Sequence, residues 1–408
     1  MSPSYSFAQG TDGALPFALP EEVGLCPQRS QRLIQVLQSE VERQRLPGGV
    51  VLIARHGKVA MFEPLGAQDP ASGAAMARDA IFRIYSMTKP IVSVAVLMLM
   101  EQGKLLLSDP VAKYLPEYAR QKVAVMVDGS VQLQEVRQGA TLYDLLRHTA
   151  GLTYEFLGAN AVQRQYAQAR IGTRSRSNAE FSHELAALPL VAEPGTLWEY
   201  GRGTDVLGRV IEVVSGQTLG TFLNEKIFQP LGMTDTGFFV PREHHSRIAE
   251  PFARDPEGAP QMRVMDVREE VRLESGGGGL ASTAMDYARF LQLMLNRGQL
   301  GGVRLLGPKT VEFMTCDHLG DIPVNAGGSR ALLPLGHGFG LGVAVRKHLG
   351  EVSVPGSAGM YFWGGLAGTT FFVDPAQDLF AIFMLQAPNQ REYYGMQLRN
   401  LVYAMLME

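Results

Sequence analysis

The chain has 408 residues, 46% hydrophobic and 19% charged, with a net charge of −3. That length allows two lobes or one large elaborated domain, and the near-neutral balance argues against a nucleic-acid surface. The longest apolar run, residues 91–100, is far short of the roughly 20 a bilayer needs, and residues 1–20 lack the basic start and apolar core of a signal peptide. The expectation is a cytoplasmic chain without a membrane span.

The first 22 residues, rich in Ser, Gly and Pro, read as an extended arm. Leu33, Ile34, Leu37 and Val41 recur at helical spacing, and Pro47-Gly48-Gly49 stops that helix. Apolar runs at 50–54 and 59–62 flank Arg55-His56-Gly57-Lys58, the pattern of a β-hairpin with glycine in its turn; His56 is a turn residue there. Cys26 and Cys316 form no CxxC or metal pattern and read as two free, partly buried thiols.

Residues 82–85 form a short buried entry segment to Ser86-Met87-Thr88-Lys89. Residues 91–100 are apolar on nearly every face, which predicts a helix buried all round. Ser86 then sits at its first turn, and Lys89, three residues on, shares its face. Pro90 is tolerated so early in a helix because the first N–H groups have no intrahelical partner to lose. A serine hydroxyl needs an adjacent base to become a nucleophile. A lysine kept neutral by burial or by a neighbouring cation can be that base, and a helix N-terminus favours the negative charge developing on the serine oxygen. The same four residues also fit a helix cap followed by a surface lysine.

Residues 103–118 read as loop and turn, and 121–138 as a surface hairpin. Thr141-Leu142-Tyr143-Asp144 opens a helix with a capping-box pattern. His148, near that helix's end, is expected to bond loop backbone or helix carbonyls rather than take part in chemistry. Residues 160–188 are mostly helical, Glu193-Pro194-Gly195 is a turn, 205–215 is a helix closed by Gly216, and 218–229 is another. The charged stretch 241–272 suggests a long loop near a cleft. After Gly276-Gly277-Gly278-Gly279, residues 283–296 form an amphipathic helix capped by Thr283 and Asp286. Strand-like pieces follow at 339–345, 369–373 and 379–385, then an amphipathic helix over 394–405. Strands at both ends and helices between them predict an α/β layer built from residues 1–85 and 270–408. A mainly helical insertion spans 86–269, with the active site in the cleft between the two.

Tyr200, in a loop just before a helix, is a candidate third proton-handling group, given nearby cations to lower its pKa. A tyrosine with a buried ring and a wet hydroxyl fits the same position. Trp363-Gly364-Gly365 precedes the strand at 369–373; paired glycines let backbone approach a substrate closely, or simply make a turn.

Five segments, in order, resemble the serine β-lactamase and penicillin-binding-protein superfamily. They are Ser86-Met87-Thr88-Lys89, Leu146-Arg147-His148-Thr149-Ala150-Gly151-Leu152, Tyr200, Gly276-Gly277-Gly278-Gly279-Leu280 with Ser282, and Trp363-Gly364-Gly365. The likeness runs from about Gly24 onward and is greatest to the class C β-lactamase-like esterases, the family VIII carboxylesterases. It implies an α+β fold: an α/β sandwich whose antiparallel sheet is flanked by helices, with an inserted all-helical domain. It also implies Ser86 as the acylated nucleophile, Lys89 as its base, Tyr200 as proton shuttle, and the backbone N–H groups of Ser86 and Leu366 as the oxyanion hole. Tyr154, Trp363, Gly364 and Gly365 would line the substrate site.

The family's Tyr-x-Asn motif here reads Tyr200-Gly201-Arg202, without the asparagine that orients lactam amides. Its Lys-Thr-Gly motif reads Trp363-Gly364-Gly365, the form that resembles the esterases. Arg202 or Arg346 could stand in for the missing lysine cation. The implied activity is hydrolysis of short- to medium-chain small-molecule esters, with no metal or cofactor. A β-lactamase, D-amino-acid peptidase or acyltransferase is the alternative, and a non-catalytic binding member a third. The Gly-x-Ser-x-Gly elbow of ordinary α/β-hydrolases is not evident.

Overall fold

The computed structural model describes residues 15–128 and 130–407. The predicted hairpin is β1 (Gly48–Arg55) and β2 (Lys58–Asp69), turning at His56-Gly57, and a short β3 (Ala74–Ala75) extends it. Next come β4 (Phe82–Arg83) and the predicted surface hairpin, β5 (Lys122–Val127) with β6 (Ser130–Glu135). Much later in the chain, β7 (Ala281–Ser282) pairs with β4. A small hairpin of β8 (Gln299–Leu300) and β9 (Val303–Arg304) follows. The remaining strands are β10 (His337–Phe339), β11 (Ala344–Arg346), β12 (Tyr361–Gly364), β13 (Gly368–Asp374) and β14 (Leu379–Gln386). One eight-stranded sheet runs β10-β11-β12-β13-β14-β1-β2-β3, antiparallel at every pairing. Its centre joins the two ends of the sequence: Val50 opposes Met384 and Leu52 opposes Ile382.

Helices cover both faces. α1 (Pro27–Glu42) lies on β2. α2 (Thr88–Glu101) follows the Ser86 turn, and every residue from Thr88 to Leu99 is buried, as its unbroken apolar sequence predicts. The central stretch holds α3 (Leu142–Leu146), α4 (Ala161–Gln168), α5 (Asn178–Ala186), α6 (Gly203–Ser215), α7 (Leu219–Leu223) and α8 (Gln229–Leu231). Then come α9 (Ala284–Leu295), α10 (Pro308–Met314), α11 (Gly328–Leu332) and α12 (Arg391–Tyr403). α12 lies against α1 and β13, whereas α9 lies against β14 and β1. Alternation along β13 shows that these are opposite faces: Phe372 stacks on Tyr403 of α12, and Phe371 meets Tyr287 of α9. Sandwiched so, β1 and β14 are buried along their whole length, which is why both read as continuous apolar runs. No helix among the described residues is long and apolar enough to cross a membrane.

Several local expectations change. Residues 1–14 of the proposed arm lie outside the described residues. From residue 15 the chain is pinned, with Ala18 N–H on the Val59 carbonyl and a 3-10 turn at Pro20–Val23. The single strand expected at 339–345 is two, because Gly342, at φ 94°, turns the chain between β10 and β11. The helix expected over 218–229 is capped by Thr218 but loosens into a π turn at Asn224–Phe228. Thr283 caps α9, but the Asp286 carboxylate turns away to Asp235 N–H and Thr236 Oγ1. Cys316 is exposed rather than partly buried.

Candidate active site

The turn that carries Ser86 begins where β4 ends. The Ile84 amide donates to Leu280 next to β7, and Tyr85 then takes φ 43°, an unusual conformation for a bulky residue. The Tyr85 hydroxyl accepts the Met265 amide, so the long charged loop holds the strained residue down. Ser86 follows in a 3-10 turn that runs directly into α2, with its side chain at the cavity.

Five side chains from four segments of the chain meet there. Lys89 Nζ lies 3.3 Å from Ser86 Oγ, 3.1 Å from Tyr154 Oη and 2.6 Å from the Gly277 carbonyl. The Tyr200 hydroxyl donates to Ser86 Oγ at 2.7 Å, and Trp363 Nε1–H donates to Tyr200 Oη at 3.3 Å. Lys89 is fully buried. Burial is the main cause that brings its amine down to about 7; Asp205 opposes this and Arg202 reinforces it. Near neutrality about half of the molecules thus carry a free amine beside the serine. Tyr200 goes the other way from the expectation: burial outweighs its hydrogen bonds to Ser86 and Trp363 and pushes the phenol above its usual range. It is a neutral donor in the resting site, not a phenolate.

Trp363 and Gly364 belong to β12 and not to a turn. Trp363 opposes Phe371, so its indole faces the α9 side and reaches Tyr200. Gly365 and Leu366 make the link to β13. A Cβ on Gly365 would sit 2.5 Å from the Ile84 carbonyl, so only glycine lets this link close on the Ser86 turn. Among the described residues, neither the Ser86 nor the Leu366 amide donates a hydrogen bond to the protein. Tyr154 lines the cavity and also bonds the lysine. Arg202 is engaged: its guanidinium grips Glu155 at 2.7 and 2.9 Å and contacts Asp205 at 3.8 Å. Arg346 is buried on the Val354 and Leu349 carbonyls and does not line the cavity. Neither fills the position of the missing lysine.

Two further buried residues frame the site: Glu199, which pattern alone does not single out, and His148. Glu199 is buried and takes hydrogen bonds from Thr153, Asn325 and Ser329, and Ser329 Oγ in turn accepts the Tyr200 amide. His148, at φ 58°, accepts the Gly201 amide on Nδ1, with its ring 4.8 Å from Tyr200. Burial, and then Lys89, hold its pKa well below the usual value, so it is a neutral scaffold group. For Glu199 the hint in the sequence is its adjacency to Tyr200; His148 bonds loop backbone, as expected for a histidine at that helix end. The site opens into a cavity of about 1270 Å³, walled by Phe156, Leu157, Leu273, Leu332, Val354 and Phe362 among others.

A family model described as Beta-lactamase matches residues 33–403. Esterase EstB of Burkholderia gladioli is 34% identical over 400 residues, 91% of this chain and 95% of that protein. The lovastatin esterase of Penicillium rubens is 32% identical over 330 residues, 76% and 80% of the two chains. Among solved structures, EstCE1, a hydrolase with promiscuous acyltransferase activity, superposes with a TM-score of 0.78 at 30% identity, covering 92% of this chain and 98% of that one.

Proposed function

The chain belongs to the beta-lactamase family and is a serine hydrolase of the esterase type, and from that premise we propose that it cleaves carboxylic esters through an acyl-enzyme on Ser86. The observation that carries this is the placement of Ser86 Oγ between a buried amine at 3.3 Å and a phenol at 2.7 Å, at the cavity wall. In the proposed cycle the neutral Lys89 amine takes the Ser86 proton as Oγ attacks the ester carbonyl. The Ser86 and Leu366 amides receive the oxyanion. Tyr200 gives its proton to the departing alkoxide and is reprotonated from the Lys89 ammonium. Water then attacks the acyl-enzyme through the same groups in reverse.

The substrate class is a neutral ester of short to medium chain. The indole of Trp363 at the position of the lactamase lysine supports this, and Arg202, also at the cavity, is held by Glu155. A second reading has an observation of its own: 1270 Å³ exceeds the roughly 300–1,000 Å³ of ordinary ligand pockets. A second alcohol fits beside the acyl-enzyme, and the transferase activity named for EstCE1 points the same way. The test is a screen of nitrophenyl and alkyl esters, with and without an added alcohol acceptor, together with intact mass of the trapped enzyme. An acyl adduct on Ser86 is expected; turnover without one, or an adduct elsewhere, rejects the reading.

A further inference from the structure

Lys89 is buried, and its hydrogen-bond partners are a serine hydroxyl, a phenol and a peptide carbonyl. Each catalytic cycle would make that amine an ammonium, and a buried ammonium is costly without a counter-charge. The groups facing it from the surrounding segments are Ser86, Tyr154, Tyr200, His148, Arg202 at the N-cap of α6 and, within α6, Asp205. Asp205 is the carboxylate in that set. It stands in the first turn of α6, buried, and α6 packs on α2. Its Oδ1 accepts the Gly277 N–H at 3.0 Å and the Ser275 hydroxyl. Those two bonds fix the 275–277 turn, and the same Gly277 peptide presents its carbonyl to Lys89 Nζ at 2.6 Å. Oδ2 is buried without a hydrogen bond. Its ion-pair contact, Arg202, is a long 3.8 Å away and spends its shorter bonds on Glu155.

We propose that Asp205 is a positioning residue for Lys89, holding the Gly277 carbonyl on the amine and supplying the counter-charge for its protonated form. The proposal rests on the Ser86–Lys89 reading above. Charge and position separate in two variants. Asp205→Asn keeps an oxygen for Gly277 and Ser275 but removes the charge. The ammonium then loses support, the amine stays neutral to lower pH, and the acid limb of kcat/KM moves down by about one pH unit. Asp205→Ala removes both effects, and kcat falls about 100-fold or more with KM within about threefold. An Asp205→Asn pH profile that overlies wild type overturns the counter-charge role, and wild-type kcat in Asp205→Ala overturns the positioning role. If Asp205→Ala does not fold, as read by thermal unfolding, the pH profile of Asp205→Asn decides alone. Fluorophosphonate labelling of wild type and Ser86→Ala runs beside these. Labelling that persists in Ser86→Ala rejects the underlying reading and the Asp205 role with it, whereas labelling lost in Ser86→Ala beside an overturning Asp205 result rejects the Asp205 role alone.

Discussion

Lys89 Nζ and Ser86 Oγ are in contact, and in the proposed cycle they act as a unit, so their removal should be read together. Ser86→Ala is expected to abolish ester hydrolysis, about a millionfold by analogy with other serine nucleophiles, and Lys89→Ala to be nearly as severe; wild-type-like turnover in either, at saturating ester, rules the pair out. With the base at about 7, kcat/KM should rise through neutral pH and level off above it. The same depression has a cost in stability. Between about 7 and the ordinary lysine value of 10.5 the unfolded chain holds the lysine proton more firmly than the folded one, so stability from this group rises with pH across that window and its penalty is complete below it. Lys89→Met should therefore melt about 1–3 °C above wild type at pH 7, with the gap closing toward pH 10; an equal gap at both pH values refutes this. Tyr200→Phe should bind substrate but lose about 10²–10⁴ in turnover on an unactivated alkyl ester. It should lose far less on a nitrophenyl ester, whose leaving group needs no proton. Ser86, Lys89 and Trp363 were legible because each sits in a local pattern. Asp205, Glu199 and the lysine contact of Tyr154 were not, because long-range folding creates their partnerships: Glu199 meets Ser329, and Asp205 meets Gly277.

The link from β12 to β13 is where one element tunes another. Gly365 lets it press on the Ile84 carbonyl, and the Leu366 amide rides on that contact. Gly365→Ala should leave the circular dichroism spectrum and melting temperature close to wild type. It should cost about 100-fold in kcat/KM, the scale of a misplacement near 1 Å; unchanged kinetics would show that the link is not part of the site. Elements with a strong period were readable in advance: α2 from its unbroken apolar face, α6 from its spacing, the β1–β2 hairpin from its glycine turn. The strand β12 was missed because Trp363-Gly364-Gly365 looks like a turn, and glycine suppresses any strand signal. The break between β10 and β11 was missed because Gly338, Gly340 and Gly342 alternate with apolar residues just as a strand would.

At the scale of the molecule, the cavity wall sets preference. A neutral short-chain nitrophenyl ester should exceed a cephalosporin in kcat/KM by roughly 10- to 150-fold, the value of the charged hydrogen bond (about 1.5–3 kcal/mol) that Trp363 cannot make. Equal turnover of the cephalosporin would favour a lactamase instead. The layered plan was legible because strands cluster at both ends of the sequence. Its strand order was not, since nothing local says that β1 will pair with β14. That pairing bears on how the protein is made. β1 and β2 emerge from the ribosome roughly 15–70 s before β14, at about 5–20 residues per second. During that interval β1 offers an unpaired edge that is apolar up to Arg55. The nascent chain is therefore a natural client for holding chaperones, and β14 acts as a clasp that closes the sheet last. Ribosome-stalled chains ending before Leu379 should stay protease-sensitive across β1, and chains extended past Gln386 should not.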